Sequence, residues 1–89
     1  MEVVLLREVI GENLKAERIS QNRTLRDVSA TAFMSLGYLS ELERGIKEVS
    51  SEMLEPICKA LDITVPELLT RVASDMELFD RVEASLSYV

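Results

Sequence analysis

Two stretches decide the fold: Thr24-Leu25-Arg26-Asp27-Val28, and Ser35-Leu36-Gly37-Tyr38-Leu39-Ser40-Glu41-Leu42-Glu43-Arg44-Gly45. In the first, Thr24 followed three residues later by Asp27 is a start signal like a capping box, and Leu25, Val28 and Ala32 give a short helix its apolar face. After Phe33 and Met34, Ser35 can cap another helix, whose inward stripe reads Leu39, Leu42 and, just past it, Ile46. Gly45 is placed to stop that helix in the left-handed conformation that glycine adopts without penalty.

Apolar spacings of three and four continue on both sides of this pair, while the period-two alternation of a half-buried strand is never sustained. The reading is an all-α domain. A first helix is expected from about Leu6 to about Gln21, with Ile10 and Leu14 on one face, Val9 and Ile19 flanking it, and Gly11 inside it at a point of close packing. Ser50 and Ser51 open a fourth helix carrying Met53, Leu54, Ile57, Cys58 and Leu61; Pro56 is tolerated only early, so the start is expected near Glu52. Thr64 with Glu67 is a second capping box and opens a fifth helix, with Pro66 in its first turn. From Val72 onward the stripe Val72, Met76, Phe79, Val82, Leu86 advances by four, three, three and four, marking an additional terminal helix after a weak boundary near Ala73 to Asp75.

Two short helices joined by three or four residues match the helix-turn-helix plan, whose later helix enters the major groove. With Leu39 and Leu42 inward and a rotation of about 100° per residue, the opposite face of that helix holds Gly37, Ser40, Glu41 and Arg44, flanked by Leu36 and Tyr38. A groove-reading face needs hydrogen-bonding tips and little bulk. Gly37 permits close approach, Glu41 can accept from a cytosine amino group, and Leu36 or Tyr38 can pack on a thymine methyl or a sugar edge. Arg23, Arg26, Arg44 and Lys47 bracket the helix where phosphate contacts are wanted, and the helix starts at Thr24 and Ser35 offer free backbone N–H groups. A merely solvated helix face is the competing reading of the same residues.

Composition narrows the classes further. Eighty-nine residues allow one small domain, and the 47% hydrophobic content is that of a globular chain with a thin core, for which oligomerisation is expected. The net charge of −6 argues against coating of anionic polymers by bulk charge. It is unevenly placed: residues 1–50 carry seven bases and eight acids, residues 51–89 three bases and eight acids. A single cysteine excludes an internal disulfide, and the absence of histidine removes the usual zinc constellations. No cofactor or metal is expected. The apolar run Val3 to Leu6 is too short for a signal-peptide core or a membrane span, which together with the free cysteine points to the cytoplasm. Catalysis finds no support: the acids fall mainly on polar helix faces, Cys58 sits on an apolar stripe, and Gly11, Gly37 and Gly45 are isolated rather than forming a phosphate loop.

The two quoted stretches, together with Ala60-Leu61 and Val65-Pro66-Glu67-Leu68-Leu69, resemble the Cro/C1-type (XRE) helix-turn-helix transcriptional regulators over roughly Leu6 to Thr70. Leu-Ser-Glu-Leu-Glu-Arg-Gly, residues 39–45, is the most specific part. Within that family, Leu-Leu-Arg-Glu-Val-Ile-Gly at residues 5–11 and Ser-Leu-Gly-Tyr-Leu-Ser-Glu at residues 35–41 look like the actinobacterial regulators of Clp protease genes (ClgR-type). The resemblance implies a compact five-helix, lambda-repressor-like DNA-binding domain over residues 1–72, with residues 73–89 as a dimerisation element. It implies a structural ion pair between Arg18 and Glu43, a phosphate contact at Thr24, base-edge contacts at Leu36, Gly37 and Glu41, and a backbone contact at Arg44. Two departures stand out: Phe33 occupies the turn position usually held by glycine, and Ser29 the position inside the second helix often held by alanine. Leu25 and Leu36 stand where several relatives use glutamine.

The expected function is therefore sequence-specific binding of a palindromic operator in double-stranded DNA by a homodimer, with activation of Clp protease and stress-response genes and RNA polymerase as a further partner. The stripe Val72, Met76, Phe79, Val82 and Leu86 is the expected dimer seam, and also the expected cover for the domain's own core. Two other readings remain at this level: the DNA-binding antitoxin of a toxin pair, and a protein-interaction module that never meets DNA.

Overall fold

A computed structural model of the chain describes residues 4–87. Five α-helices follow in order: α1 (Leu6–Ser20), α2 (Leu25–Ala32), α3 (Leu36–Glu43), α4 (Ser51–Ala60) and α5 (Val65–Ser87). The all-α, five-helix expectation holds. The terminal helix, however, is not a separate element: α5 runs 23 residues without a break through the boundary expected at Ala73 to Asp75. At 1.5 Å per residue this rod is about 35 Å long. It lengthens the molecule to 48 × 25 × 22 Å, with a radius of gyration of 14.1 Å against about 12 Å for a compact chain of this length.

Side-chain oxygens close the helix starts as the sequence requires. Thr24 Oγ1 accepts from the Asp27 N–H at 3.0 Å, Ser35 Oγ from Tyr38 N–H at 3.1 Å, and Thr64 Oγ1 from Glu67 N–H at 3.1 Å. Each satisfies an amide that the helix itself leaves unpaired, which is worth about 1 kcal/mol. α4 starts at Ser51, so Pro56 is its sixth residue rather than part of its first turn, and the Glu52 carbonyl receives no amide from that position.

The core gathers Val9, Leu14, Val28, Leu39, Leu42, Ile57, Leu61, Leu68 and Val72, with Cys58 among them. Each large aliphatic side chain buried here contributes about 1.5–3 kcal/mol relative to exposure. One residue expected beside an inward face and one expected on an inward stripe are not buried. Ile19 and Ile46 are both more than half exposed; Ile46 follows Gly45, whose φ of 73° turns the chain away before the stripe can continue.

The contact between α1 and α3 is unusually close. A Cβ at Gly11 would lie 2.3 Å from the Leu42 carbonyl oxygen and 2.8 Å from that of Glu43, so only glycine lets α1 cross there. The same crossing is tied by Arg18, whose Nε and Nη2 donate to the two Glu43 carboxylate oxygens at 2.7 and 2.9 Å. The pair is largely buried, with side chains 13% and 5% exposed, and Arg18 Nη1 donates further to the Arg23 carbonyl. Its hydrogen bond to Glu43 pushes the Arg18 pKa up, against the opposing effect of burial.

α5 lies antiparallel on α1. Asn13 Nδ2 donates to Asp75 Oδ2 at 2.9 Å, and Arg71 pairs with Glu17 at 2.8 Å. α5 is thereby fixed relative to α3, because both are clamped to the same α1.

Candidate nucleic-acid interface

The turn between α2 and α3 is built in an unexpected way. Phe33 adopts φ 55° and ψ 47°, the left-handed conformation that glycine supplies without strain and that costs another residue about 1–2 kcal/mol. Ser29 supports it. Its hydroxyl donates to the Met34 carbonyl, while the Met34 N–H returns a bond to the Ser29 carbonyl at 3.0 Å. The serine that stands in place of alanine thus ties the turn in two directions, and Met34 is buried beneath it. These contacts set how α3 leaves the body.

α3 faces two ways. Leu39 and Leu42 are buried, 1% and 2% exposed, and Glu43 joins them through Arg18. On the other side Ser35, Leu36, Gly37 and Arg44 are exposed, with Ser40 and Glu41 half-buried. A Cβ built on Gly37 would meet nothing within 4 Å. Glycine there serves no packing need of the protein, although it weakens a helix by up to about 1 kcal/mol relative to alanine.

The four expected phosphate-binding cations divide. Arg23 turns inward: its guanidinium donates to the Asp27 carboxylate at 2.7 Å, to Thr31 Oγ1 at 3.1 Å and to the Ala60 carbonyl, pinning α2 to the end of α4. Within the chain it serves packing. Its position in the sequence gave no sign of this, because Ala60 is 37 residues away. Lys47 approaches the Glu41 carboxylate to 3.9 Å. Among the described residues no hydrogen bond or ion pair engages the guanidinium of Arg26 or of Arg44, and both residues are exposed, one on α2 and one at the end of α3. Thr24 is exposed at the start of α2.

Tyr38, expected on the flank, is half-buried. It packs on the core and directs its hydroxyl to the Glu48 carbonyl at 3.4 Å, bracing the loop after α3. Arg7, which the sequence did not single out, holds the same loop from α1 by donating to the Gly45 carbonyl at 3.0 Å and pairing with Glu48 at 2.9 Å.

The expected dimer stripe also splits. Val72 is buried and Met76 packs against the domain's own core, so these two are covered within the chain. Phe79 is 40% exposed, and Leu78, absent from the expected stripe, is 60% exposed. Val82 and Leu86 fall within α5, but their side chains lie outside those described. No described helix is long and apolar enough to cross a membrane.

Comparison with known proteins agrees with this arrangement. The family described as helix-turn-helix (HTH_3) matches residues 14–68, which contain α2, the turn and α3. The transcriptional regulator ClgR of Mycobacterium tuberculosis is 50% identical over 78 residues, covering 88% of this chain and 70% of the relative. The crystal structure of the clp gene regulator ClgR from Corynebacterium glutamicum superposes with a TM-score of 0.85 at 42% identity, over 96% of this chain and 90% of that one. At 19% identity, and so for the fold alone, the restriction-modification controller protein C.Esp1396I, solved as a tetramer with its 35 base-pair operator, gives a TM-score of 0.75 over 81% of this chain and 95% of that one.

Proposed function

The chain belongs to the XRE-type helix-turn-helix family of transcriptional regulators and is a homologue of ClgR, and from that premise we propose that it binds a palindromic operator as a homodimer and activates Clp protease and stress genes. The observation that carries the proposal is the outer face of α3. Gly37 leaves it open with no packing reason to do so, and Arg26 on α2 and Arg44 at the end of α3 are exposed, their guanidiniums unpaired among the described residues. A helix presented in this way can lie in the major groove, with Leu36 and Glu41 near base edges and the arginines on the phosphates. Exposed amides at the Thr24 end of α2 add a phosphate site.

One such head makes few phosphate contacts and binds weakly at physiological salt; two heads related by a two-fold axis double the contacts and read an inverted repeat. In this proposal residues 1–72 read DNA and residues 73–89 pair the heads. Phe79 and Leu78 lead the pairing face, since Val72 and Met76 already serve the core. The Clp protease genes are the proposed targets because both ClgR relatives regulate transcription, one of them named for clp genes.

Selection of bound sites from randomised duplex DNA tests this reading. The expected product is an inverted repeat whose half-sites lie about 34–36 Å apart, one helical turn. No enriched motif, or a single asymmetric half-site bound by a monomer in sedimentation, overturns it. For activation, expression of a clp reporter is expected to fall when the chain is deleted from its host; a rise would make it a repressor.

A further inference from the structure

Lys47 ends beside Glu41. Its Nζ approaches Glu41 Oε2 to 3.9 Å, and Glu41 Oε1 accepts no hydrogen bond among the described residues. Arg44 is nearer in the chain, three residues after Glu41, yet its guanidinium is engaged by nothing among the described residues. The backbone builds the placement of Lys47. Gly45, at φ 73°, donates its N–H to the Leu42 carbonyl at 3.1 Å, and the Ile46 N–H donates to the Glu41 carbonyl at 3.0 Å. These paired bonds fold a chain back over the last turn of its helix, and Lys47 follows directly, beside the turn that carries Glu41. The chain on both sides of Lys47 is held. Arg7 donates to the Gly45 carbonyl at 3.0 Å and pairs with Glu48 at 2.9 Å, and the Tyr38 hydroxyl reaches the Glu48 carbonyl at 3.4 Å.

In water such a pair contributes little, because the Lys47 and Glu41 side chains are 55% and 38% exposed and solvent screens them. In a groove the balance changes. A carboxylate that reaches a base edge stands between two walls of phosphate, and each like charge raises its energy as water is displaced. A cation at its side offsets that repulsion and also fixes the rotation of the carboxylate. With one oxygen engaged, the other is left to accept from a base, and the cytosine N4 amino group is the donor that acidic side chains read in the major groove. We propose that Lys47 is a positioning residue for base reading: it holds Glu41 Oε2 at the edge of the groove so that Oε1 meets a cytosine amino group. The proposal rests on the DNA-binding reading above and goes beyond it, since a lysine bracketing the helix would otherwise serve phosphate alone.

The test uses the full chain and an operator recovered by selection, with each base pair changed in turn and affinity read by fluorescence anisotropy at fixed salt. Glu41→Ala marks the pair that Glu41 reads, as the position where preference is lost. There the wild-type chain is expected to favour its base about tenfold or more. Lys47→Ala is expected to reduce this preference to about threefold or less at that pair alone, and Lys47→Arg to keep it. Arg44→Ala is expected to weaken all sites alike with the preference intact. Added to Glu41→Ala, Lys47→Ala is expected to change the preference no further. Melting curves of Lys47→Ala are expected to overlay those of the wild type, so that a lost preference is not lost folding. The proposal is overturned if Lys47→Ala weakens every site alike, which would make Lys47 a phosphate ligand only. It is equally overturned if the preference falls at several pairs together, which would make Lys47 a support of the whole helix, or if the effects of the two substitutions add. Should Glu41→Ala leave every base preference unchanged, Glu41 reads no base and the reading of the outer face fails with this proposal; a preference that depends on Glu41 but not on Lys47 removes this proposal alone.

Discussion

The two faces of α3 share one backbone and obey opposite rules. Toward the body, Gly11 is pressed onto the Leu42 and Glu43 carbonyls, Leu39 and Leu42 are shut in, and Arg18 holds Glu43 with a two-pronged ion pair. Away from the body, Gly37 has empty space around it, and the guanidiniums of Arg26 and Arg44 bind nothing among the described residues. One face fixes where the helix is; the other is left available because the first is so tightly determined. A recognition helix needs both, since a surface that reads bases loses specificity if its support allows it to rock.

That contrast yields graded tests. Gly11→Ala should have the largest effect, destabilising the fold by about 4 kcal/mol or more because the added methyl meets backbone oxygens that cannot move aside; a melting temperature near wild type would show that the crossing can relax. Glu43→Ala should cost about 3 kcal/mol by leaving Arg18 charged and unpaired in a mostly enclosed site, read by urea denaturation. Because the Arg18 pKa is raised, the stability linked to that shift is lost only as pH rises beyond the ordinary guanidinium range, so the Arg18 shift adds no pH dependence near neutrality.

On the outer face the expected effects shift from stability to binding. Arg44→Ala should weaken all DNA sequences alike and lower the salt slope of binding by about 1, with melting unchanged. Glu41→Ala should instead alter base preference with a modest loss of affinity; if the two variants behave identically, the division between positioning and reading fails. Gly37→Ala is the sharpest contrast with Gly11→Ala: stability should hold or rise by up to about 1 kcal/mol while operator affinity falls. The smallest effect belongs to Cys58, whose thiol is pushed above its ordinary pKa by burial. Unfolded chains lose that proton first on the alkaline side, so stability should decline as pH rises past the usual thiol range, and Cys58→Ala should flatten this decline in a pH series of melting curves.

Local signals survived folding best. The caps at Thr24, Ser35 and Thr64, the stop at Gly45 and the apolar spacing of α3 are short-range facts, and each appears where the sequence indicated. The Arg18–Glu43 pair was legible only through family resemblance, since 25 residues separate the partners. Arg23 shows the limit. Arg23 and Arg26 look alike in the sequence, but Arg23 finds the Ala60 carbonyl within reach and turns to it, leaving Arg26 to face outward. Likewise the terminal stripe could not be apportioned in advance between core and partner, because that depends on how far α1 extends along α5.

By itself the sequence determined a bundle of helices, their approximate ends and the pair of short helices that forms the reading head, because caps, stops and apolar periods act within a few residues of one another. The tertiary structure decided which side of α3 is free, which cations remain unpaired, and that the ring of Phe33 stands in water. Those outcomes depend on atoms brought together from distant parts of the chain, and on space, which no residue type records.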